Sequence, residues 1–261
     1  MMLCSDRAEA SDFWDEVRNP GLAAHRSHVR KGLEALSANR HELALSEADL
    51  AVARCSGCAD GHVLRGRALA GVGRWGEATA AFERALSLRP EALDTAPDAL
   101  AAALCALLAG RPELASKILT RTLALQCDPV SRGQALAMLA DSLQMEGPSE
   151  LKRALATYGE AMRDEEARKR VLLGLALALH RSGDSSEALS LARRASDSET
   201  NAPAAWLPEP ERAARLALWL TAIGDHAAAD RAWLSATEGG GPWREHAKAA
   251  RTAAQKDAGQ R

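Results

Sequence analysis

Cys55-Ser56-Gly57-Cys58, followed by Ala59-Asp60-Gly61-His62, is the stretch of this chain whose residue types could do chemistry. Two cysteines at this spacing can form half of a tetrahedral zinc site or a thiol–disulfide couple. A zinc site needs four ligands, and only His62 and Asp60 lie close enough in sequence to join them. A redox couple would place its first cysteine at a helix N-terminus that follows a strand. Gly71, Gly73 and Gly76 match the GxGxxG fingerprint, which cradles a dinucleotide only between a strand and a phosphate-facing helix. His41-Glu42 opens like a zinc-protease helix but lacks the second histidine. Each motif therefore depends on the elements that carry it.

Those elements are helical. Apolar residues make up 47% of the 261 and aromatic residues only 3%, so alanine and leucine dominate the core-forming set. Alanine, leucine, glutamate and arginine favour helices, and the strand-favouring residues are scarce. An all-α protein follows. The net charge of −2, from 33 basic and 35 acidic residues, argues against a nucleic-acid binder, which needs a concentrated basic face. The longest apolar run, Ala99 to Gly110, is too short to span a bilayer. No leader-like segment precedes Cys4, which favours a cytoplasmic protein; a periplasmic or lipid-anchored one would require a leader upstream. Five cysteines form no disulfide framework, and reduced thiols are expected.

The chain also repeats itself. In Ala59 to Pro90, small residues stand at Gly66 and Ala68, a glycine at Gly73, and apolar residues at Trp75, Ala78, Phe82, Ala85 and Leu86, with Pro90 closing the unit. Gly32, Asn39, Ala44, Ala48 and Ala51 repeat that pattern 34 residues upstream. Further copies follow through Ala103, Gly110 and Ala115; Ala140, Gly147 and Ala154; Ala176, Gly183 and Ala188; and Ala217, Gly224 and Ala229. The stretch resembles a tetratricopeptide repeat (TPR), a helix–turn–helix unit in which small residues let two helices cross closely. The resemblance implies a right-handed α-solenoid of antiparallel helix pairs, a TPR-like superhelix. Residues 1–24 form an N-terminal segment with a short amphipathic helix at 11–19. An array over 25–238 divides at about 25–58, 59–92, 96–130, 133–168, 169–200 and 210–238, and 239–261 form a capping helix and tail. Counted against the repeat, Cys55 and Cys58 occupy the turn between two units. They are expected as inert turn cysteines, with a reversible disulfide or a metal pair as alternatives. Arg163 to Arg170 reads as a solvated helix start.

The resemblance further implies a concave groove lined by the first helix of each unit. The positions carried over are Val29, Leu33 and Leu36 in the first unit and Val63 and Arg67 in the second. The third contributes Leu100, Leu104, Leu107 and Leu108, and the fourth Asp141 and Met145. Leu173, Leu177, His180 and Arg181 follow in the fifth and Leu218 in the sixth. This lining is mostly apolar and suits an apolar or amphipathic protein segment, unless the Phe13–Trp14 helix covers it. A non-catalytic interaction scaffold without cofactor or metal is expected. The alternatives are an envelope TPR protein of a bacterium that assists assembly of a pilus or secretion complex, and a thiol redox or zinc protein acting through Cys55 and Cys58.

Overall fold

Alanine-rich segments punctuated by glycine form helical hairpins, as the spacing predicts. The computed structural model describes residues 21–125, 127–196, 209–238, 244, 247–249 and 251–252. Helices α1 (Leu22–Ser37), α2 (His41–Arg54), α3 (Ala59–Gly71) and α4 (Trp75–Leu88), with a short 3₁₀ turn at Pro90–Leu93, belong to one compact unit ending at Leu93. A second unit begins at Asp94. It carries α5 (Ala96–Leu108), α6 (Pro112–Ala124), α7 (Pro129–Glu146), α8 (Leu151–Ala161), α9 (Glu165–Ser182), α10 (Ser185–Ser196), α11 (Glu209–Ala222) and α12 (His226–Glu238). No strand occurs among the described residues. Residues 11–19 and the proline-containing segment 197–208 lie outside them.

One turn recurs within the hairpins. Asn39, Gly73, Gly110, Gly183 and Gly224 take positive φ between 55° and 98°. In each case the next backbone N–H donates to the carbonyl five residues back, as from Arg74 to Leu69 at 2.9 Å and from Asp184 to Leu179 at 3.0 Å. This is the Schellman ending, in which a left-handed residue closes the first helix and turns the chain into the second. The α7–α8 turn departs from it. There Gly147, at φ 127°, leads into a 3₁₀ turn at Pro148–Glu150, the place where the repeat spacing calls for extra residues.

The helices then pack closely because the crossing positions are small. A methyl group added at Gly66 would stand 2.8 Å from the Phe82 ring, inside van der Waals contact. Ala44, Ala48, Ala51, Ala68, Ala78 and Ala85 are fully buried along the same seams. Arg244 and residues 247–249 are helical too. Ala247 is buried against Trp233, Ala236, Ala214 and Ala217, so this segment covers the apolar face of the last hairpin.

Two expectations are corrected. Cys55 and Cys58 are not reduced thiols but a disulfide. With α2 ending at Arg54 and α3 starting at Ala59, the turn holds their Cα atoms 5.4 Å apart, within the span a disulfide requires. Arg170, read as part of a solvated charge run, is 7% exposed. It lies on the inner side of α9, where Glu211 of α11 meets it at 3.0 Å.

Candidate functional site

In the second unit the first helices of its hairpins pack against one another in order, α5 on α7, α7 on α9 and α9 on α11. Together they enclose a cavity of about 300 Å³. Leu104, Leu107 and Leu108 of α5 form one wall, and Leu173 and Leu177 of α9 another. Met138 and Met145 of α7 and Leu218 of α11 complete the apolar lining. Met145 and Leu218 are 50% and 42% exposed, so the mouth presents apolar surface to solvent.

The polar side of the cavity is a network that spans four helices. Arg215 of α11 donates to both carboxylate oxygens of Asp141 on α7, at 3.2 and 2.7 Å, and to Glu211 one turn earlier, at 3.0 Å from Nε and 2.9 Å from an amino group. Tyr158, fully buried on α8, donates its hydroxyl to Asp141 at 2.6 Å. The Gln144 amide stands 3.0 Å from the same hydroxyl. A phenol has one proton, and the charged acceptor takes it. Gln144 therefore completes the set by turning its NH₂ end to the phenolic oxygen.

Burial opposes the charge of Arg215, but Asp141 and Glu211 outweigh it and hold the guanidinium protonated above its ordinary pKa. Burial pushes the Tyr158 hydroxyl up, and the neighbouring Asp141 charge pushes it further. Gly174 makes room for this arrangement, since a Cβ there would lie 2.5 Å from the Tyr158 oxygen and 2.9 Å from Asp141.

Of the groove residues expected from the repeat, Leu104, Leu107, Leu108, Asp141, Met145, Leu173, Leu177, Arg181 and Leu218 line this cavity. Asp141, expected among the groove residues, is already engaged within the chain. His180 faces the edge of the Trp219 ring, with centroids 5.8 Å apart, and does not line the cavity. Leu100 is half-buried outside it. In the first unit Leu33 is 43% exposed, Val29, Leu36 and Arg67 are half-buried, and Val63 is 8% exposed. Val63 is buried where α3 packs on α1, α2 and α4. Repeat matching missed Arg170, Glu211 and Arg215. The readable signal was the Glu211–Arg215 pair at helical spacing, an i,i+4 couple on a helix whose other residues are mainly apolar.

Two of the sequence motifs fall in turns between helices. Gly71, Gly73 and Gly76 lie across the α3–α4 turn, between two helices. Cys55 and Cys58 are bonded to each other and therefore not available as thiolate ligands. His62 is buried, with Nε2 3.0 Å from the Ser56 carbonyl, and fastens the cysteine turn to α3. Among the described residues no group of three or more His, Cys, Asp or Glu could hold a metal ion. No described helix is long and apolar enough to cross a membrane.

Solved structures show that this is the TPR fold. YrrB, described as a TPR protein with an unusual peptide-binding site, superposes with a TM-score of 0.58 at 19% identity, over 74% of this chain and 94% of its own. MamA from Desulfovibrio magneticus RS-1 gives 0.55 at 16% identity over 69% of this chain and 97% of that one, and MamA AMB-1 gives 0.55 at 19% identity over 66% and 96%. No protein-family model and no curated protein matches the chain.

Proposed function

We propose that the chain is a non-catalytic interaction scaffold that receives a segment of a partner protein in the cavity of the second unit. One observation carries this reading: four successive first helices line a single cavity whose walls are leucine and methionine. Exposed apolar surface gathered at one concave place marks a protein-interaction surface more often than scattered leucines do. Its burial would supply roughly 25 cal/mol per Å² before the costs of association and ordering. The peptide-binding site of YrrB supports the reading by likeness of fold alone.

The choice of test variant follows from exposure. Leu177 is 8% exposed, so an aspartate there tests folding as much as binding. Met145 and Leu218 are exposed, and Met145→Asp/Leu218→Asp should leave the helical circular dichroism signal unchanged. Affinity capture from source cells should recover a partner with the wild-type chain and lose it with this variant. Identical partners for both chains would reject the cavity as the binding surface.

A further inference from the structure

The charges around the cavity are unevenly satisfied. Arg170 and Arg215 face Glu211 and Asp141, and these four form a buried set that neutralises itself. Arg181 is different. It lines the cavity from the last turn of α9, is exposed, and its one hydrogen bond among the described residues is a 3.4 Å contact from Nη1 to the backbone carbonyl of Gln144. It makes no ion pair with any described residue. Three arginines therefore face two carboxylates, leaving one positive charge in excess at the mouth. The carbonyl end of α9 favours a cation at this position without neutralising it.

Resting on the reading above, we propose that the occupant of this cavity is a segment of a partner protein that carries one Asp or Glu among apolar side chains, with that carboxylate set against Arg181. The apolar residues fill the walls formed by Leu104, Leu107, Leu173, Leu177 and Leu218. The acid meets the one arginine of the cavity lining that has no counter-charge among the described residues. A basic segment would bring like charge to Arg181, and a purely apolar one would bury the guanidinium stem while leaving its charge without an acceptor. The cavity of about 300 Å³ admits one or two side chains, and its apolar mouth, where Met145 and Leu218 are 50% and 42% exposed, gives the rest of a segment a surface to lie on.

The test is selection of 12-residue peptides from an unbiased phage-displayed library on the full chain, followed by fluorescence anisotropy of the selected peptides. Apolar peptides bearing Asp or Glu should dominate. Arg181→Glu should weaken them roughly five- to tenfold, as expected for loss and reversal of one exposed ion pair. Replacing the peptide's acid by Lys should weaken binding to the wild type and restore it on Arg181→Glu. Leu218→Asp should abolish binding of every selected peptide.

If Leu218→Asp abolishes binding but neither Arg181→Glu nor the acid-to-Lys exchange matters, the acidic inference fails and the cavity reading stands. If Leu218→Asp has no effect, both fail. A tenfold or greater gain of affinity on deleting residues 1–20 would identify the occupant as the chain's own N-terminal segment. Self-association of the chain, lost in Leu218→Asp, would identify it as a second copy. Either result overturns the proposed partner.

Discussion

The two units bury their interiors by different means. In the first, the buried residues are alanines and larger apolar side chains such as Leu64 and Leu69, Gly66 under Phe82, and histidines bonded to main-chain carbonyls, as with His25 Nδ1 at 2.9 Å from the Ala51 oxygen. No Asp, Glu, Lys or Arg is buried among the described residues of that unit, and its His28–Glu47 pair, at 2.7 Å, is only part-buried. In the second, α7, α8, α9 and α11 share a buried network of two arginines, two carboxylates and a tyrosine beside an apolar cavity. A close-packed seam leaves no room for a ligand. A seam propped by long side chains can keep a space open, at the cost of desolvating charges that must all find partners. The contrast predicts that the first unit is sensitive to volume and the second to charge.

The largest expected effect breaks the charge side of that contrast. Asp141→Ala leaves the Arg215 guanidinium facing Glu211 alone and should destabilise the second unit by about 3–5 kcal/mol. The double change Asp141→Leu/Arg215→Met should recover much of this loss in urea unfolding. Equal losses in the single and double variants would contradict the account of a self-neutralising network.

Volume is tested next. Gly66→Ala presses a methyl group against Phe82 and should cost about 1–3 kcal/mol. Gly76→Ala, where an added Cβ meets nothing within 4 Å, should be neutral or stabilising by up to about 1 kcal/mol. A similar Tm change in both variants would show that the seam is not tight.

The disulfide closes a short loop, and the chain-entropy relation assigns such a loop about 2 kcal/mol. Cys55→Ser/Cys58→Ser should therefore lower the Tm by a few degrees, with addition of dithiothreitol changing the wild type and not the variant.

The smallest effect concerns pH. Burial first, and then Asp141, raise the Tyr158 hydroxyl above its ordinary value of 10.0. A raised folded-state pKa contributes stability that is present below the pKa of the free phenol and is lost as pH rises toward the folded value. Tyr158→Phe should cost about 1–2 kcal/mol at neutral pH and flatten the decline in stability above pH 10. An unchanged slope there would remove Tyr158 as its source. In the native chain Cys105, whose thiol burial pushes up to about 12, should resist alkylation until unfolding, whereas the half-exposed Cys127 should react.

Much of the fold was legible because its determinants are local. A left-handed turn residue, a small crossing residue and an apolar stripe each act within one hairpin, so Asn39, Gly66, Gly73 and Ala85 could be read by matching the chain to the repeat it resembles. The cavity walls were legible for the same reason, since the repeat carries Leu104, Leu177 and Leu218 to equivalent faces. The network was not. Asp141 and Arg215 are separated by 74 positions, and nothing near either names the other. Arg170 sits in a charge run that looks solvated until α11 is laid against it. Val63 shows the limit of such reading, since the repeat gives a helix face, while the neighbours that cover that face come from packing. The bond between Cys55 and Cys58 depends on a turn geometry that two cysteines in a sequence do not specify.

The most direct test of the central claim compares the two units in one experiment. A photo-crosslinking amino acid placed at Leu218, at the mouth of the second unit's cavity, and in a separate sample at the equally exposed Leu33 of the first, reports which face meets a partner in the cell. The account predicts a discrete crosslinked species from Leu218 that disappears with Met145→Asp, and none from Leu33. A crosslink from Leu33 with none from Leu218 would contradict it.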